Sequence, residues 1–348
     1  MGDFTKKQKL GNGYFGEVWL AEHEGFAADF AVKFVPAANI SSPTEFYREP
    51  RLLKTLEHPN IVRVHDTGRL KNGDLFIAME YLKRGSLASE LRGDALDLRA
   101  LKEIFCGALR GVQYAHDRGF IHRDIKPANI LIADNSSGKL GDFGLATQLG
   151  PGGMASPQFY YTYVAPEVLR SGATTKASDV YAMAATIYEA LNGKSYLPSP
   201  TSLDHLKQMI LAGEFPDRTY YRLYVPKKLR RVINKGMHVD PDERYQNAEE
   251  FRHAIEQVPI RASCTEKATQ SSFKWDSQGD DERLQIKMYA EGGGTWRLET
   301  ACQKSNGGKP RRVGKLCMGN LTESQARKAV HKITSSFITG VAASKLRA

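Results

Sequence analysis

The pattern of apolar and polar positions differs between the first part of the chain and the rest. From Phe4 to about Ile40, and again from Ile61 to Tyr81, short runs rich in β-branched and aromatic residues predict strands. Further along, apolar positions recur at helical spacing and predict helices over Leu101–His116, Asp179–Asn192 and Ala248–Val258. We therefore expect a small β-rich lobe followed by a larger helical lobe.

One helix is expected inside the β-rich part, over Ser42–Leu56. Ser42 can cap this helix, Pro43 suits its first position, and Glu45 completes a capping box. Pro50 lies inside the same stretch, where a proline removes one hydrogen bond and costs about 3 kcal/mol or more. The helix is therefore expected to kink or to begin late.

The pattern changes again after Val258. Residues 259–281 are rich in Ser, Thr, Gln and Asp and predict a linker. Alternating apolar positions then predict three strands, and a capping box formed by Thr322 and Gln325 predicts a final helix. The strand signals are Leu284, Ile286 and Met288, then Trp296, Leu298 and Thr300, then the stretch Arg311–Met318. We expect a small β-β-β-α module over residues 282–348.

Composition limits the class of protein. The chain has 348 residues, of which 41% are hydrophobic, and this is ordinary for a protein with a packed core. Apolar runs stay below the ~18 residues that a membrane span needs, and the first residues do not read as a signal peptide. A cytoplasmic protein without a transmembrane segment is expected. The four cysteines are scattered without a CxxC pair, which predicts neither a zinc site nor a disulfide framework.

The net charge of +10 is concentrated near the C-terminus. Residues 282–348 hold 13 Lys and Arg against 4 Asp and Glu, which leaves 36 against 35 in residues 1–281. Such an asymmetry indicates an acidic partner for the C-terminal module.

A glycine-rich segment is the first candidate for chemistry. Gly11, Gly13 and Gly16 precede Val18 in the run GNGYFGEV. Glycines let a hairpin backbone come close to phosphate oxygens, which a side chain would obstruct. Val18 lets a strand continue after the turn, which favours a strand–loop–strand nucleotide site over a dinucleotide-binding loop, where a helix follows.

The run Ala31-Val32-Lys33 lies about one strand downstream of the glycines. After such a loop, Lys33 is expected to hold the α- and β-phosphates of a nucleotide. Lys33 needs a partner that fixes its position, and Glu49 on the predicted Ser42–Leu56 helix is the candidate.

Three further motifs follow in order. They are the run HRDIKPAN over residues 122–129, the run DFG over residues 142–144, and the run APE over residues 165–167. With them, residues 4–258 resemble the eukaryotic-type (Hanks-type) protein kinase family, in its serine/threonine branch. The resemblance implies a bilobal α+β fold, with an N-lobe over residues 1–82 and a C-lobe over residues 83–258. It also implies ATP and Mg²⁺ as cofactors and a protein substrate.

The chemistry of phosphoryl transfer explains these residue types, because it needs positioning and charge neutralisation more than covalent help. The resemblance implies that Asp124 is the catalytic base and that Lys126 adds positive charge beside the γ-phosphate. It also implies that Asn129 and Asp142 offer oxygens to Mg²⁺.

Other residues carry over from the family by position. The resemblance implies an adenine site with apolar faces and a hinge backbone, made of Leu10, Val18, Ala31, Leu131, the gatekeeper Met79, and the hinge residues Glu80, Tyr81 and Leu82. It also implies a buried pair between Glu167 and Arg244, and an Asp179 that braces the backbone of the catalytic loop.

The activation segment departs from the family pattern. Phe159 and Tyr160 stand where glycine and threonine are usual, which leaves the geometry of the substrate site open. Ser156 and Thr162 are candidate phosphorylation sites, because a phosphate there would give Arg123 charge-assisted hydrogen bonds. The alternative is an activation loop that needs no phosphate.

The cations of the C-terminal module form two groups: Lys309, Arg311, Arg312 and Lys315 near a strand, and Arg327, Lys328, His331 and Lys332 on the polar face of the last helix. Three strands and a basic helix resemble small DNA-binding modules such as integrase arm-type domains. The competing interpretations are a solvated face on a docking or regulatory domain, a nucleic-acid site and a site for an acidic membrane.

The leading hypothesis for function is an active serine/threonine protein kinase that also phosphorylates itself. The alternatives are a scaffold with an inactive kinase fold and a nucleic-acid-associated regulator. The intact set of Lys33, Asp124, Asn129 and Asp142 argues against the scaffold.

Overall fold

In the computed structural model of the protein, the described residues are 4–12, 16–39, 47–91, 97–143, 161–193 and 200–348. The N-lobe is an antiparallel sheet in the order β1-β2-β3-β5-β4. Its strands are β1 (Phe4–Asn12), β2 (Glu17–His23), β3 (Ala28–Val35), β4 (Val64–Arg69) and β5 (Leu75–Glu80). Phe4, Phe30 and Phe76 pack in its small apolar cluster. The predicted β-rich first lobe is confirmed.

The helix of the N-lobe, α1, spans Arg48–Thr55, and residues 40–46 with the predicted cap at Ser42 lie outside the described part. Pro50 is the third helical residue and therefore belongs to the first turn. N–H groups of a first turn have no intrahelical partner, so a proline costs little there. The described helix begins at Arg48, and the predicted kink or late beginning stays a prediction because residues 40–46 lie outside the described part.

The C-lobe is mostly helical, as predicted. Its helices are α2 (Leu87–Glu90), α3 (Leu98–Asp117), α4 (Pro166–Ser171), α5 (Lys176–Asn192), α6 (Leu203–Ala212), α7 (Lys227–Gly236) and α8 (Ala248–Glu256). A short hairpin, β6 (Ile130–Ile132) and β7 (Gly138–Leu140), lies between α3 and α4. Every residue of α5 from Ala177 to Asn192 is buried, so this helix forms the centre of the lobe. Within the described residues, no helix is both long enough and apolar enough to cross a membrane.

The C-terminal region is an antiparallel sheet packed against one helix. The strands are β8 (Ser263–Ala268), β9 (Ser272–Gln278), β10 (Glu282–Gly292), β11 (Thr295–Lys304), β12 (Arg311–Arg312) and β13 (Met318–Leu321), and the helix is α9 (Glu323–Ile338). The sheet order is β8-β9-β10-β11-β12, and β13 also pairs with β11. The predicted strands around Leu284 and Leu298 are confirmed, and both side chains are buried. The capping box of Thr322 and Gln325 is also present at the start of α9.

The linker predicted for residues 259–281 is not observed, because β8 and β9 form within it. The core-facing positions of these strands hold the small residues Cys264 and Ser277, and the large residues on this side are Trp275 and the half-buried Phe273. Cys264 and Trp275 are fully buried, and the indole N–H of Trp275 donates to Glu266 at 2.7 Å. With Phe273 and Trp275 as the only large apolar residues in β8 and β9, the alternation is a weak hydrophobic pattern, which explains the difference.

The third predicted strand, Arg311–Met318, is interrupted. Its middle is a 3₁₀ turn over Gly314–Leu316, and the chain returns to the sheet only at Met318. Leu316 is fully buried by this turn, and Thr300 Oγ1 donates to its carbonyl at 3.1 Å. The module is therefore larger and less regular than a β-β-β-α unit.

The C-terminal region and the C-lobe share one apolar core, in which Tyr224 and Val225 of the C-lobe join the same cluster as Trp275 and Val330. Polar contacts line the junction. Arg261 N donates to Ile338 O at 2.7 Å. Side chains of α3 and α9 also bond to backbone carbonyls of neighbouring segments. His331, which was predicted to lie on the polar face of the last helix with the exposed cations, is instead half-buried against the C-lobe. Its Nδ1 lies 2.6 Å from the carbonyl oxygen of Leu223 in the C-lobe.

Candidate active site

One buried carboxylate, that of Asp179 at the start of α5, holds the backbone of the catalytic loop in place. Its oxygens accept hydrogen bonds from the backbone N–H groups of His122 at 2.8 Å and Arg123 at 2.9 Å. The ring of His116 lies 2.8 Å from the same carboxylate. Burial opposes ionisation here, but the bonds from His116 and the loop hold the pKa of Asp179 below its ordinary value. The carboxylate is therefore a fixed negative anchor for the loop.

Asp124 is surrounded by two side chains of its own loop. Lys126 Nζ lies 2.7 and 2.9 Å from its two carboxylate oxygens, and Asn129 Nδ2 donates to Oδ2 at 2.8 Å. A second bond from Asn129 Nδ2 reaches the carbonyl of Asp124 at 2.8 Å. Burial raises the pKa of Asp124, and the charge of Lys126 opposes that rise. Both amide protons of Asn129 are thus committed, which leaves its amide oxygen for a cation.

His122 and Phe143 fill the space behind the loop. Nδ1 of His122 accepts from the N–H of Asp124 at 3.3 Å, so Nε2 carries the proton that is donated to Gly141 O at 3.1 Å. Burial lowers the pKa of His122, in agreement with a neutral ring. The Phe143 ring is fully buried, with its centre 4.6 Å from that of His122. This packing fixes the backbone that carries Asp142.

Lys33 approaches Asp142 across the cleft between the lobes. Its Nζ lies 3.7 Å from Asp142 Oδ1, and the Lys33 side chain is only 8% exposed, whereas that of Asp142 is 41% exposed. The predicted partner Glu49 is the second residue of α1, and its side chain lies outside the described part. The Lys33–Glu49 pair therefore stays a prediction.

Two residues beside the reacting centre have left-handed backbone conformations, Arg123 with φ of 71° and Asp142 with φ of 55°. For residues with a Cβ atom such conformations cost about 1–3 kcal/mol, and they persist only where the surroundings enforce them. At Arg123 the enforcing contact is the bond from its N–H to Asp179. Stored backbone strain of this kind is characteristic of functional sites.

The strands of the N-lobe bring the predicted nucleotide-binding residues together. In the sheet register Gly11 is opposite Val18, Val18 is opposite Lys33, and Ala31 is opposite Met79. Leu10 is 41% exposed, although it is large and apolar. A nucleotide base below β1 would cover exposed apolar surface of this kind.

The glycines of the predicted phosphate loop differ in whether packing requires a residue without a side chain at that position. A Cβ atom on Gly16 would lie 1.9 Å from Phe34 O, so packing against β3 alone requires glycine there. Among the described residues, a Cβ atom on Gly11 would meet nothing within 4 Å, so their packing does not require glycine at that position. Space above Gly11 fits a ligand that approaches the backbone. Gly13 lies outside the described residues.

The hinge residues Glu80, at the end of β5, and Leu82, just after it, are half-buried. Leu131 of β6 bridges to Ser86 of the C-lobe. The Glu80 carboxylate binds Lys139 Nζ at 2.7 and 2.8 Å and accepts from Arg63 N at 2.8 Å. Sequence reasoning missed this link between the lobes. Nothing local marks Lys139, since a lysine in a short strand is usually solvated.

The predicted partners Glu167 and Arg244 are in contact. The guanidinium of Arg244 donates two parallel bonds to the Glu167 carboxylate, at 2.7 and 2.6 Å, and Arg244 is 2% exposed. This bidentate pair ties the start of α4 to the segment before α8.

A second buried pair near the reacting centre was not predicted. Tyr163 Oη donates to Glu189 Oε2 of α5 at 2.5 Å. Burial and the Glu189 charge raise the pKa of Tyr163. A glutamate inside the apolar run of α5 was the available signal, because a buried carboxylate requires a partner.

Of the candidate phosphorylation sites, Ser156 lies outside the described residues, as do Phe159 and Tyr160. Thr162 is half-buried in a 3₁₀ turn over Tyr161–Tyr163. The Nε of Arg123 is buried and has no hydrogen-bond partner among the described residues. An unpaired guanidinium N–H of this kind fits an anion.

The donor set also fits Mg²⁺. Magnesium is commonly held by one or two carboxylates together with substrate phosphates, so no protein cage is needed. The part of the chain that the structure describes has no group of three or more His, Cys, Asp or Glu side chains able to hold a metal. The Asp142 carboxylate and the Asn129 amide oxygen are the residues that would hold the ion.

Comparisons with known proteins agree with this geometry. A family model described as protein kinase domain matches residues 4–255. Serine/threonine-protein kinase PknB of Mycolicibacterium smegmatis is 33% identical over 255 residues, which cover 70% of this chain and 41% of PknB. PknF of Mycobacterium tuberculosis is 33% identical over 267 residues, covering 72% of this chain and 55% of PknF. A probable serine/threonine-protein kinase of Streptomyces coelicolor is 31% identical over 263 residues, covering 71% and 38%.

The chain therefore spans about half the length, or less, of the curated relatives that it matches. All three matches cover about 70% of this chain, which is close to the share that the family model covers. Through that model and these relatives, the chain belongs to the protein kinase family, among bacterial Hanks-type serine/threonine kinases.

Proposed function

We propose that this protein transfers the γ-phosphoryl group of ATP to serine or threonine hydroxyls of a protein, with Asp124 as the catalytic base. The observation that carries the proposal is the environment of the Asp124 carboxylate. It is buried, aligned by Lys126 and Asn129, and set on a loop that Asp179 anchors. A scaffold without catalysis has no need for this arrangement.

Each residue of the site has a task in such a transfer. Asp124 accepts the proton of the substrate hydroxyl and orients its oxygen, and Lys126 neutralises charge on the transferred group. Lys33 holds the α- and β-phosphates. ATP and Mg²⁺ supply the phosphoryl group and part of the charge neutralisation, and the ion is held by Asn129 and Asp142.

The activation segment is proposed to carry a phosphate that pairs with Arg123. The buried Nε of Arg123, which has no hydrogen-bond partner among the residues that the structure describes, supports this proposal. Ser156 and Thr162 are the candidate acceptors, and self-phosphorylation is the proposed source.

The C-terminal region is proposed to bind a partner of the kinase rather than to take part in catalysis. Its charge supports this role, since residues 282–348 carry 13 cationic against 4 acidic side chains. None of the described contacts of Asp124 comes from this region.

The test of the proposed activity is Asp124→Asn, which keeps the shape of the side chain and removes its basicity. We expect phosphate transfer to a peptide mixture to fall about 10²–10⁴-fold, while binding of a fluorescent ATP analogue is retained. The matched control is Asp134→Asn, since Asp134 is exposed in the turn between β6 and β7. Transfer that is equal in both variants would show that Asp124 is not the base.

A further inference from the structure

The sheet of the C-terminal region has two unlike faces. Along β10 the core-facing residues Leu284, Ile286 and Met288 are fully buried against α9, and the residues between them point the other way. This second face, here called the outer face, is polar along β8 to β11. Its positions, which alternate with the buried ones, carry no Leu, Ile, Val, Phe or Trp side chain, and Tyr289 is its only aromatic residue among the described strands.

Three lysines lie side by side across the outer face. In the strand register Lys267 of β8 is directly opposite Lys274 of β9, and Lys274 is directly opposite Lys287 of β10. Directly opposite side chains have Cβ atoms about 4.5–5.5 Å apart, and like charges at this distance destabilise a sheet. A row of three such residues therefore has an energetic cost that the fold itself does not require.

The acidic residues near this lysine row are already engaged. Asp276 accepts from Arg283 Nε at 2.6 Å and from Gln285 at 3.0 Å. Glu299, which continues the row on β11, accepts from Tyr289 Oη at 3.1 Å. Within the described residues, none of the three lysines has an ion pair. Glu299 stays an anion directly opposite Lys287, so three lysines against one glutamate leave the row with a net positive charge.

The outer face is also open to solvent. The C-lobe contacts the opposite side of the region, where His331 and Thr334 of α9 reach Leu223. Lys267 and Lys287 are exposed, and Lys274 is half-buried between them. The lysine row thus remains accessible while the region is docked on the kinase.

We propose that the outer face binds the phosphate backbone of a double-stranded nucleic acid through Lys267, Lys274 and Lys287. Three strands about 4.8 Å apart place the row across about 10 Å, close to the ~12 Å width of the major groove of B-form DNA. Phosphates supply the missing counter-charge and release counterions when they bind. The inference specifies the partner of the C-terminal region and does not depend on kinase activity.

The composition of the face selects this partner over other acidic ones. Apolar side chains that enter the acyl boundary strengthen binding to a membrane surface, and the outer face offers none. Binding to single strands uses aromatic platforms for the bases, and Tyr289 is engaged with Glu299. Contacts to phosphates alone carry no base information, so binding is independent of sequence.

The test measures binding of the full chain to a short fluorescent duplex of random sequence, by anisotropy, between about 50 mM and about 200 mM salt. Replacing Lys267, Lys274 and Lys287 together by Gln should reduce the slope of log affinity against log salt by about 0.9 per lysine. The matched control replaces Lys328, Lys332 and Lys345 by Gln, which removes the same charge from α9 and the segment after it. This control should keep most of the slope.

Equal losses in the two triple variants would show that only net charge matters and would overturn the outer face as the site. Absence of duplex binding by the unchanged protein at low salt, or stronger binding to a single strand or to anionic phospholipid vesicles, would overturn the proposed partner. Kinase activity on a peptide monitors folding in every variant and separates this result from the fate of the proposed activity.

Thermal melting gives a second, independent readout. Because the row repels itself, removing its charge should leave the melting temperature unchanged or raise it, while affinity falls. A triple variant that loses affinity and also melts at a lower temperature would indicate damage to the sheet and would count against the proposal.

Discussion

The hydroxyl of Tyr163 donates a hydrogen bond to the buried carboxylate of Glu189. Replacing Tyr163 by Phe leaves Glu189, which is 4% exposed, without this donor. We expect the free energy of unfolding to fall by about 1–3 kcal/mol, measured by urea denaturation. The matched control is Tyr289→Phe, which removes the same hydroxyl from a partly exposed pair and should change stability by less than about 0.5 kcal/mol. Equal effects would show that burial of Glu189 is not the cause.

At this scale the sequence predicts residues that stand in a motif and misses residues that act through distant partners. Asp124, Lys126 and Asn129 belong to one run of eight residues, so their proximity follows from local spacing. Glu80 and Lys139 are 59 positions apart, and each alone looks like a solvated charge. Their contact depends on how the two lobes meet, which is information that local sequence does not contain.

At the scale of elements, the capping box of α9 is a local device with a measurable contribution. Thr322 Oγ1 accepts from Gln325 N at 3.3 Å, and Gln325 Oε1 accepts from Thr322 N at 2.9 Å. Thr322→Ala should therefore lower the free energy of unfolding by about 1 kcal/mol, followed by circular dichroism during denaturation. Thr322→Ser keeps the oxygen and should restore most of the loss. A serine variant as unstable as the alanine variant would assign the effect to the threonine methyl group instead.

Helices were easier to predict than strands for a physical reason. The repeated apolar stripe of the run Leu101–His116 predicts α3. Asp97 caps that helix by accepting a hydrogen bond from Arg99 N. The core side of β8 and β9 carries a cysteine, a serine, one tryptophan and the half-buried Phe273, so their alternation is too weak to separate from a polar linker. The interruption at Gly314–Leu316 was not predicted either, and the bond from Thr300 that accompanies it is a tertiary contact, which local sequence does not show.

At the scale of the whole molecule, the junction between the C-lobe and the C-terminal region should respond to pH through His331. Burial lowers the pKa of His331 from its ordinary value of 6.5; the bond to Leu223 opposes this, and Arg230 adds to it. Between the two pKa values the unfolded chain binds a proton that the folded chain does not. The stabilisation is therefore complete above the ordinary pKa and is lost as pH falls below it towards the folded value.

The measurement is the free energy of unfolding at pH values from about 5 to about 8, for the unchanged protein and for His331→Gln. The difference between the two curves should shrink on the acidic side. This comparison also removes the contribution of His122, which has the same sign. A difference that stays constant with pH would mean that His331 does not titrate differently in the folded state.

The sequence did not predict how the C-terminal region docks on the C-lobe, although it did predict the N-lobe and the C-lobe. The lobes follow from motifs in a fixed order, whereas the junction is formed by backbone carbonyls such as that of Leu223 and by an apolar core shared across it. Such a surface has no signature of its own, because each of its apolar residues could equally serve a core within one region.

The shared core has a consequence during synthesis of the protein. The surface around Tyr224 and Val225 is complete only when β8, β9 and α9 have folded against it, and these elements leave the ribosome after all the residues of the active site. Domains usually fold in order as they emerge. In this chain the catalytic residues are all synthesised first, but the apolar core of the lobe that carries them is complete only after the last helix has been made. A prematurely terminated product would therefore contain every motif of a kinase without the complete core that supports them.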